Sequence, residues 1–230
     1  MQSEAMTVYL LPEEPYFPPV YEAEPDGLIA IGGDLSAKRL LQAYSSGIFP
    51  WFREGEDIFW YSPDPRLVLF PDQFKVTDSL KRVIRGGQFT VRFDTVFELV
   101  IQGCASVPRP GQDGTWISEE FVNAYIELHK CGFAHSVEVF YEDNLAGGLY
   151  GVSLGAAFFG ESMFFTMNNA SKVAFHALVA RCRQYGFKFI DCQVETAHLL
   201  RFGASLIERK DYLSMLEASL KERTIKGLWK

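Results

Sequence analysis

From residue 66 onward, short apolar runs of strand character alternate with stretches in which apolar residues recur every three or four positions. Residues 67–70 and 88–93 read as strands, with a short helix over 78–85 between them. Asp94 stands where an N-cap would, ahead of a helix ending near Ala105, and a further helix covers 118–130 with Gly132 after it. Three strands follow with short connections: 136–141, a turn at Glu142-Asp143-Asn144, 146–153, a turn at Leu154-Gly155, and 157–164. Asn168 or Asn169 is placed to cap a long helix over 170–185, which Gly186 closes. An apolar strand around Asp191 comes next, and a last helix runs from about 209 to 222. Before residue 66 the chain is dense in proline, glycine and aromatic residues. It carries one clear helix, 36–46, with Asp34 or Ser36 as its cap and Gly47 closing it, and Ser62-Pro63-Asp64-Pro65 reads as a rigid connection. This pattern predicts an α+β protein with a small N-terminal domain, residues 1–65, and a larger domain, residues 66–230.

The strand around Asp191 breaks its own apolar pattern. Side chains at i and i+2 share a face of a strand, so Phe187, Phe189, Asp191 and Gln193 are expected on one side and Lys188, Ile190, Cys192 and Val194 on the other. A carboxylate and an amide buried side by side must be hydrogen-bonded or they cost stability. They are either a structural pair tying strands together or part of a working site.

Composition narrows the setting. With 48% hydrophobic residues the chain is globular, and its length is enough to bury a sizeable core. No apolar run approaches a membrane span, and the first ten residues lack the pattern of a signal peptide. Four cysteines (Cys104, Cys131, Cys182, Cys192) without framework spacing fit a reducing, cytoplasmic setting. A net charge of −7 argues against a global field that holds nucleic acid. Any RNA contact would need a local patch: Lys75, Lys81, Arg82, Arg85 and Arg92 form one candidate, and Arg181, Arg183 and Lys188 another, although either cluster taken alone reads first as a solvated face.

Several uncommon strings carry a resemblance. Gly27-Leu-Ile-Ala-Ile-Gly-Gly-Asp-Leu-Ser36, Gly47-Ile-Phe-Pro-Trp-Phe52, Trp60-Tyr-Ser-Pro-Asp-Pro-Arg66, Gly114-Thr-Trp-Ile117, Ala134-His-Ser-Val-Glu138 and Gly147-Gly-Leu-Tyr-Gly151 occur in one order. They are followed by Gly160-Glu-Ser-Met-Phe164, Ala170-Ser-Lys172 and Ile190-Asp-Cys-Gln193. Over residues 26–212 the chain resembles the leucyl/phenylalanyl-tRNA–protein transferases, bacterial enzymes that move an amino acid from its tRNA onto proteins beginning with Arg or Lys. The resemblance implies an acetyltransferase-type (GNAT-like) fold for the larger domain, matching the order of three strands, long helix and strand. It also implies a role in N-degron-dependent degradation, with leucine, phenylalanine or methionine as donor, no cofactor and a single working chain.

The implied reaction is aminolysis of an ester, for which a protein must position two partners, handle a proton and stabilise an oxyanion. The resemblance places Gln193 against the attacking amine with Asp191 orienting it. Glu161 is the further catalytic candidate: it would bind the acceptor's Arg or Lys side chain or ribose hydroxyls, or else simply pair with Lys172. Trp51 and Trp116, in loop-like settings, suit stacking on the terminal adenine, although tryptophan is also common in cores. Tyr125, Leu149, Met163, Leu178 and Ile190 are candidates to line an apolar donor pocket, and each is also an ordinary core residue.

Ser162 and Ser171 are nucleophiles by residue type only. His129, Cys131 and His135 match no standard metal spacing, and the glycines at 27–33 match no dinucleotide fingerprint. The chain departs from the family pattern at Phe165, where a small polar residue is usual, at Arg201-Phe202, where Ser-Leu is typical, and at Phe140 and Glu208, which replace Trp and Pro. Those changes leave open an acceptor beginning with Asp or Glu. Two rivals are a CoA-dependent N-acyltransferase, disfavoured because Thr166-Met-Asn-Asn-Ala-Ser171 lacks glycine, and a binding module without chemistry.

Overall fold

The computed structural model describes residues 8–107 and 117–229. A small four-stranded sheet gathers β1 (Tyr9–Leu10), β2 (Leu28–Ile31), β3 (Phe49–Pro50) and β4 (Phe59–Tyr61) in the order β1-β2-β4-β3. Helix α1 (Ala37–Ser45) sits between β2 and β3 in sequence, and its cap is the Ser36 hydroxyl, which accepts from the Arg39 N–H. The proline- and glycine-rich start therefore holds more regular structure than its pattern announces. Its strands are two to four residues long, too short for alternation to show.

A seven-stranded sheet organises the rest. Its strands are β5 (Arg66–Leu69), β6 (Thr90–Phe93), β7 (Ala134–Tyr141), β8 (Asn144–Leu154), β9 (Ala157–Phe165), β10 (Phe189–Gln193) and β11 (Ser205–Ile207), ordered β11-β5-β10-β9-β8-β7-β6. The hairpin between β7 and β8 turns through Glu142 and Asp143, both at positive φ (46° and 63°), which matches the right-handed twist of the strands it joins. β9 and β10 run parallel, a pairing that needs a crossover, and α5 (Ala170–Gln184) supplies it. The expected order of three strands, long helix and strand is thus the observed one.

Alternation along these strands builds two cores. Val68, Tyr150, Val152, Ala157, Phe159 and Phe189 face one side, packed with the N-terminal sheet, α1, α3 (Phe97–Ala105), α4 (Glu119–Lys130) and α7 (Arg209–Leu220). Leu67, Leu69, Val137, Val139, Leu149, Phe158 and Ile190 face the other, beneath α5 and α2 (Asp78–Arg85). On α5 the buried residues Ala170, Ala174, Leu178 and Cys182 recur every four positions, the stripe of a helix lying on a sheet. Each large apolar side chain buried in these layers contributes about 1.5–3 kcal/mol. Among the described residues no helix is long and apolar enough to cross a membrane.

Asp94 does not cap α3, which begins at Phe97 without a side-chain cap. Its carboxylate is buried instead, accepting the N–H groups of Ser136 and Trp229 and bonding His135 Nδ1 at 2.8 Å. The three N–H partners come from distant parts of the chain, so burial of the carboxylate outcompetes the local cap.

Candidate active site

β9 pairs with β10 at three positions only: Ala157 with Phe189, Phe158 with Ile190 and Phe159 with Asp191. Beyond them the two parallel strands part. Gly160, Glu161, Ser162 and Met163 on one side and Cys192, Gln193 and Val194 on the other line a cavity of about 380 Å³. Leu149, Phe175, Leu178 and Ile190 give it apolar walls, and Trp51, 40% exposed, stands at its lip.

Two bulges face each other across this opening. Register between β8 and β9 passes from Tyr150–Ser162 to Gly151–Gly160, which leaves Glu161 as the extra residue. Gly151 is required there, because a Cβ would lie 2.2 Å from the Phe159 carbonyl oxygen. Between β10 and β5 the register passes from Asp191–Val68 to Gln193–Leu67, leaving Cys192 extra and Gln193 at φ 63°. A non-glycine residue held at positive φ costs about 1–3 kcal/mol. The Gln193 N–H donates to Asp191 Oδ1 at 2.9 Å and braces it.

The bulge at Cys192 also corrects the expected two-faced alternation. Ile190, Cys192, Gln193 and Val194 all reach the cavity, whereas Asp191 points with Phe189 toward α7. Asp191 and Gln193 make no side-chain pair. The Asp191 carboxylate takes Arg66 Nε at 2.8 Å and Nη2 at 2.7 Å, and Tyr212 OH at 2.7 Å. Arg66 lies over the rings of Phe49 and Tyr212, 4.7 Å from each centroid. Burial works against the Arg66 charge, but the adjacent carboxylate outweighs it and raises its pKa.

Glu161 meets Gln193 instead. Its Oε1 accepts Gln193 Nε2 at 2.7 Å and Tyr44 OH at 2.7 Å, and its Oε2 accepts Tyr125 OH at 3.3 Å. The two tyrosine hydroxyls, from α1 and α4, also touch each other. Burial raises the Glu161 pKa to about 7, against the lowering effect of these three donors, and the Asp191 charge adds to the rise. Burial, Glu161 and their mutual contact hold the Tyr44 hydroxyl protonated, and burial and Glu161 do the same at Tyr125.

Of the residues singled out in the sequence, Leu149, Met163, Leu178, Ile190, Glu161, Gln193 and Trp51 border one cavity. Tyr125 does not line it. Its ring stacks on Phe121 at 4.3 Å behind Glu161, because α4 packs on the far side of the bulge. Trp116 lies outside the described residues. Ser162 lines the cavity, while Ser171 is buried in α5 away from it. Phe165 is 55% exposed at the end of β9 and is no part of the wall. Lys75, Lys81, Arg82, Arg85 and Arg92 are exposed on and around α2 and β6. Sequence reading missed Tyr44, Arg66, Tyr212 and His198. Arg66 left one signal, a charge heading the apolar run Arg-Leu-Val-Leu.

Comparison with known families shows where the chain belongs. A model described as leucyl/phenylalanyl-tRNA protein transferase matches residues 68–217, and that of its N-terminal domain matches residues 33–64. The chain belongs to this family. It is an aminoacyltransferase. A leucyl/phenylalanyl-tRNA–protein transferase of Myxococcus xanthus is 55% identical over 226 residues, covering 97% of both chains. One of Maridesulfovibrio salexigens is 54% identical over 225 residues, covering 97% of this chain and 94% of its own. Among solved structures, a Bacteroides thetaiotaomicron protein of unknown function is similar with a TM-score of 0.43 at 7% identity, over 86% of this chain and 66% of its own, which is too loose to argue from.

Proposed function

We propose that this transferase moves leucine, phenylalanine or methionine from charged tRNA onto proteins beginning with Arg or Lys, marking them for N-degron-dependent degradation. The observation that carries the reading is a carboxylate with three hydrogen-bond donors at the head of an apolar cavity. The donor side chain lies among Leu149, Met163, Leu178 and Ile190. A pocket of this kind separates side chains by only about 1–3 kcal/mol per methylene, so leucine and phenylalanine share it. The adenine stacks on Trp51, and the basic cluster of Lys75, Lys81, Arg82, Arg85 and Arg92 meets the tRNA body.

The acceptor α-amine attacks the ester carbonyl, a C–N bond forms, and the C–O bond to the 3′ oxygen breaks. An α-amine of pKa about 7.7–8 must lose a proton, and a carboxylate titrating near 7 is matched to accept it. Glu161 takes that first proton from the ammonium and releases it to solvent; the second proton, shed as the attacking nitrogen becomes an amide, passes through Glu161 to the departing 3′ oxygen. Gln193 positions the amine and keeps Glu161 oriented. Asp191 acts through the Gln193 backbone N–H.

The test is transfer of labelled amino acids from charged tRNA to peptides differing only at residue one. Leucine and phenylalanine are expected on Arg- and Lys-initiated peptides, with loss in Glu161→Gln and Gln193→Ala. Equal transfer to Asp-initiated peptides would reject the cationic acceptor.

A further inference from the structure

The cavity has an outer and an inner end. Trp51 and, on α6 (Ala197–Arg201), His198 are exposed or half-buried, whereas Leu149, Phe158, Leu178 and Ile190 are each at most 3% exposed. Phe158 is confined from two directions. Its ring lies against Gly151 of β8, where a Cβ would come within 2.6 Å of ring atoms Cε1 and Cζ. Trp229, from the segment that follows α7, meets it with ring centroids 5.7 Å apart. Phe158 lines the cavity and Trp229 does not, so the indole stands behind the ring. Trp229 is itself well anchored. Its backbone N–H donates to Asp94 Oδ2 at 2.7 Å, and its indole stacks at 4.1 Å on His135, which Asp94 also binds. Tyr185 and Phe187 meet the indole edge-on at 5.5 and 5.8 Å. Thr224, earlier in the same segment, accepts the Gly155 N–H at 2.9 Å. The indole is 1% exposed, and its Nε1 has no hydrogen-bond partner among the described residues. A buried donor left unpaired costs stability, and a phenyl ring in its place would avoid that cost. What the indole adds over phenyl is breadth against Phe158.

We propose that Trp229 determines which donor side chains the cavity admits: the indole fixes Phe158 in place, and Phe158 sets the depth of the inner end. Protein interiors are packed as densely as organic crystals, so a ring recedes only where space is made behind it. With the indole in place Phe158 stays forward, and the inner end takes an isobutyl group or one benzene ring but not a fused ring. Neither Glu161 nor Gln193 is a ring or hydrogen-bond partner of Trp229, so its effect falls on donor choice rather than on proton transfer. Trp229 is a positioning residue, acting through Phe158.

The inference rests on the reading of this cavity as the donor pocket, and the experiment separates the two. One tRNA is charged in turn with leucine, phenylalanine and 2-naphthylalanine, whose side chain extends that of phenylalanine by a fused ring. The read-out is kcat/KM for naphthylalanine divided by that for leucine, on one Arg-initiated peptide. In the parent this ratio is expected at about one-tenth or less. Trp229→Leu lets Phe158 recede and is expected to raise the ratio about tenfold or more, with KM for the peptide unchanged. Trp229→Phe gives a smaller step in the same direction, and it keeps an aromatic ring on His135 should the leucine variant fold poorly. A parent that moves naphthylalanine as readily as leucine overturns the proposal. So do variants that lower all three donors by one factor, which is what lost packing alone would give. Leu178→Phe narrows the same cavity from α5 and serves as the control. If it shifts the phenylalanine-to-leucine ratio while the Trp229 variants shift nothing, the pocket stands and the role of Trp229 falls. If neither change shifts any ratio, the donor-pocket reading falls and the inference with it.

Discussion

Replacing Asp191 by Asn tests whether its charge belongs to the chemistry or to the fold. Arg66 is 1% exposed and its Nε and Nη2 both end on this one carboxylate. The isosteric amide keeps an oxygen for the Gln193 N–H but withdraws the only anion within ion-pair distance of the guanidinium among the described residues. Breaking a buried pair by removing one partner costs about 3–5 kcal/mol, because the remaining charge is left without compensation. Against a typical total stability of about 5–15 kcal/mol this is a large fraction, and for a chain of this size it lowers Tm on the order of 10 °C. Urea and thermal unfolding followed by circular dichroism measure it. A neutral oxygen still accepts the Gln193 N–H, so the folded variant, assayed at low temperature, keeps transfer within about tenfold of the parent. Stability within 1 kcal/mol of the parent, read as ~1 kcal/mol in the urea fit, refutes the anchoring argument. A folded, stable variant that transfers nothing would place the negative charge in the reaction.

Other expectations follow from the same geometry. Tyr44→Phe removes a donor that lowers the Glu161 pKa, so the rising limb of kcat/KM against pH moves up by about one pH unit; a limb that stays in place argues that Glu161 is not the proton acceptor. The folded Glu161 pKa of about 7 lies above its ordinary 4.5, so this carboxyl's contribution to stability is present below pH 4.5 and is lost as pH rises through 7. At about 1.4 kcal/mol per pH unit, Glu161→Gln gains about 3 kcal/mol on the parent at pH 8 and nothing at pH 4, and equal unfolding curves at pH 8 would contradict this. Leu178→Phe narrows the cavity wall, and competition between charged donors is expected to show phenylalanine losing roughly tenfold more than leucine. Trp51→Ala removes about 1–3 kcal/mol of base stacking; KM for donor tRNA rises accordingly while KM for the peptide holds, and the reverse pattern would assign Trp51 to the acceptor.

What the sequence determined by itself is the part of the protein set by local forces. The α+β class and the order from β7 to β10 follow from periods of two and three to four, because alternation and helical stripes need only neighbours within a few residues. Ser36 and Ser118 cap α1 and α4, and the turn at Glu142-Asp143 forms, for the same reason. Recognisable strings also carried the family and, with it, most of the cavity's residues.

Tertiary structure alone decided how those residues act. The bulges at Glu161 and Cys192 depend on register against β8 and β5, which no single strand encodes, and they turned an expected Asp191–Gln193 pair into separate Asp191–Arg66 and Glu161–Gln193 contacts. Asp191 and Arg66 are 125 positions apart, and Tyr44 and Glu161 are 117 apart, so neither partner could be read from the other's surroundings in the chain. The Glu161 carboxyl titrates near 7 because of where burial places it, and burial is a property of the packed whole.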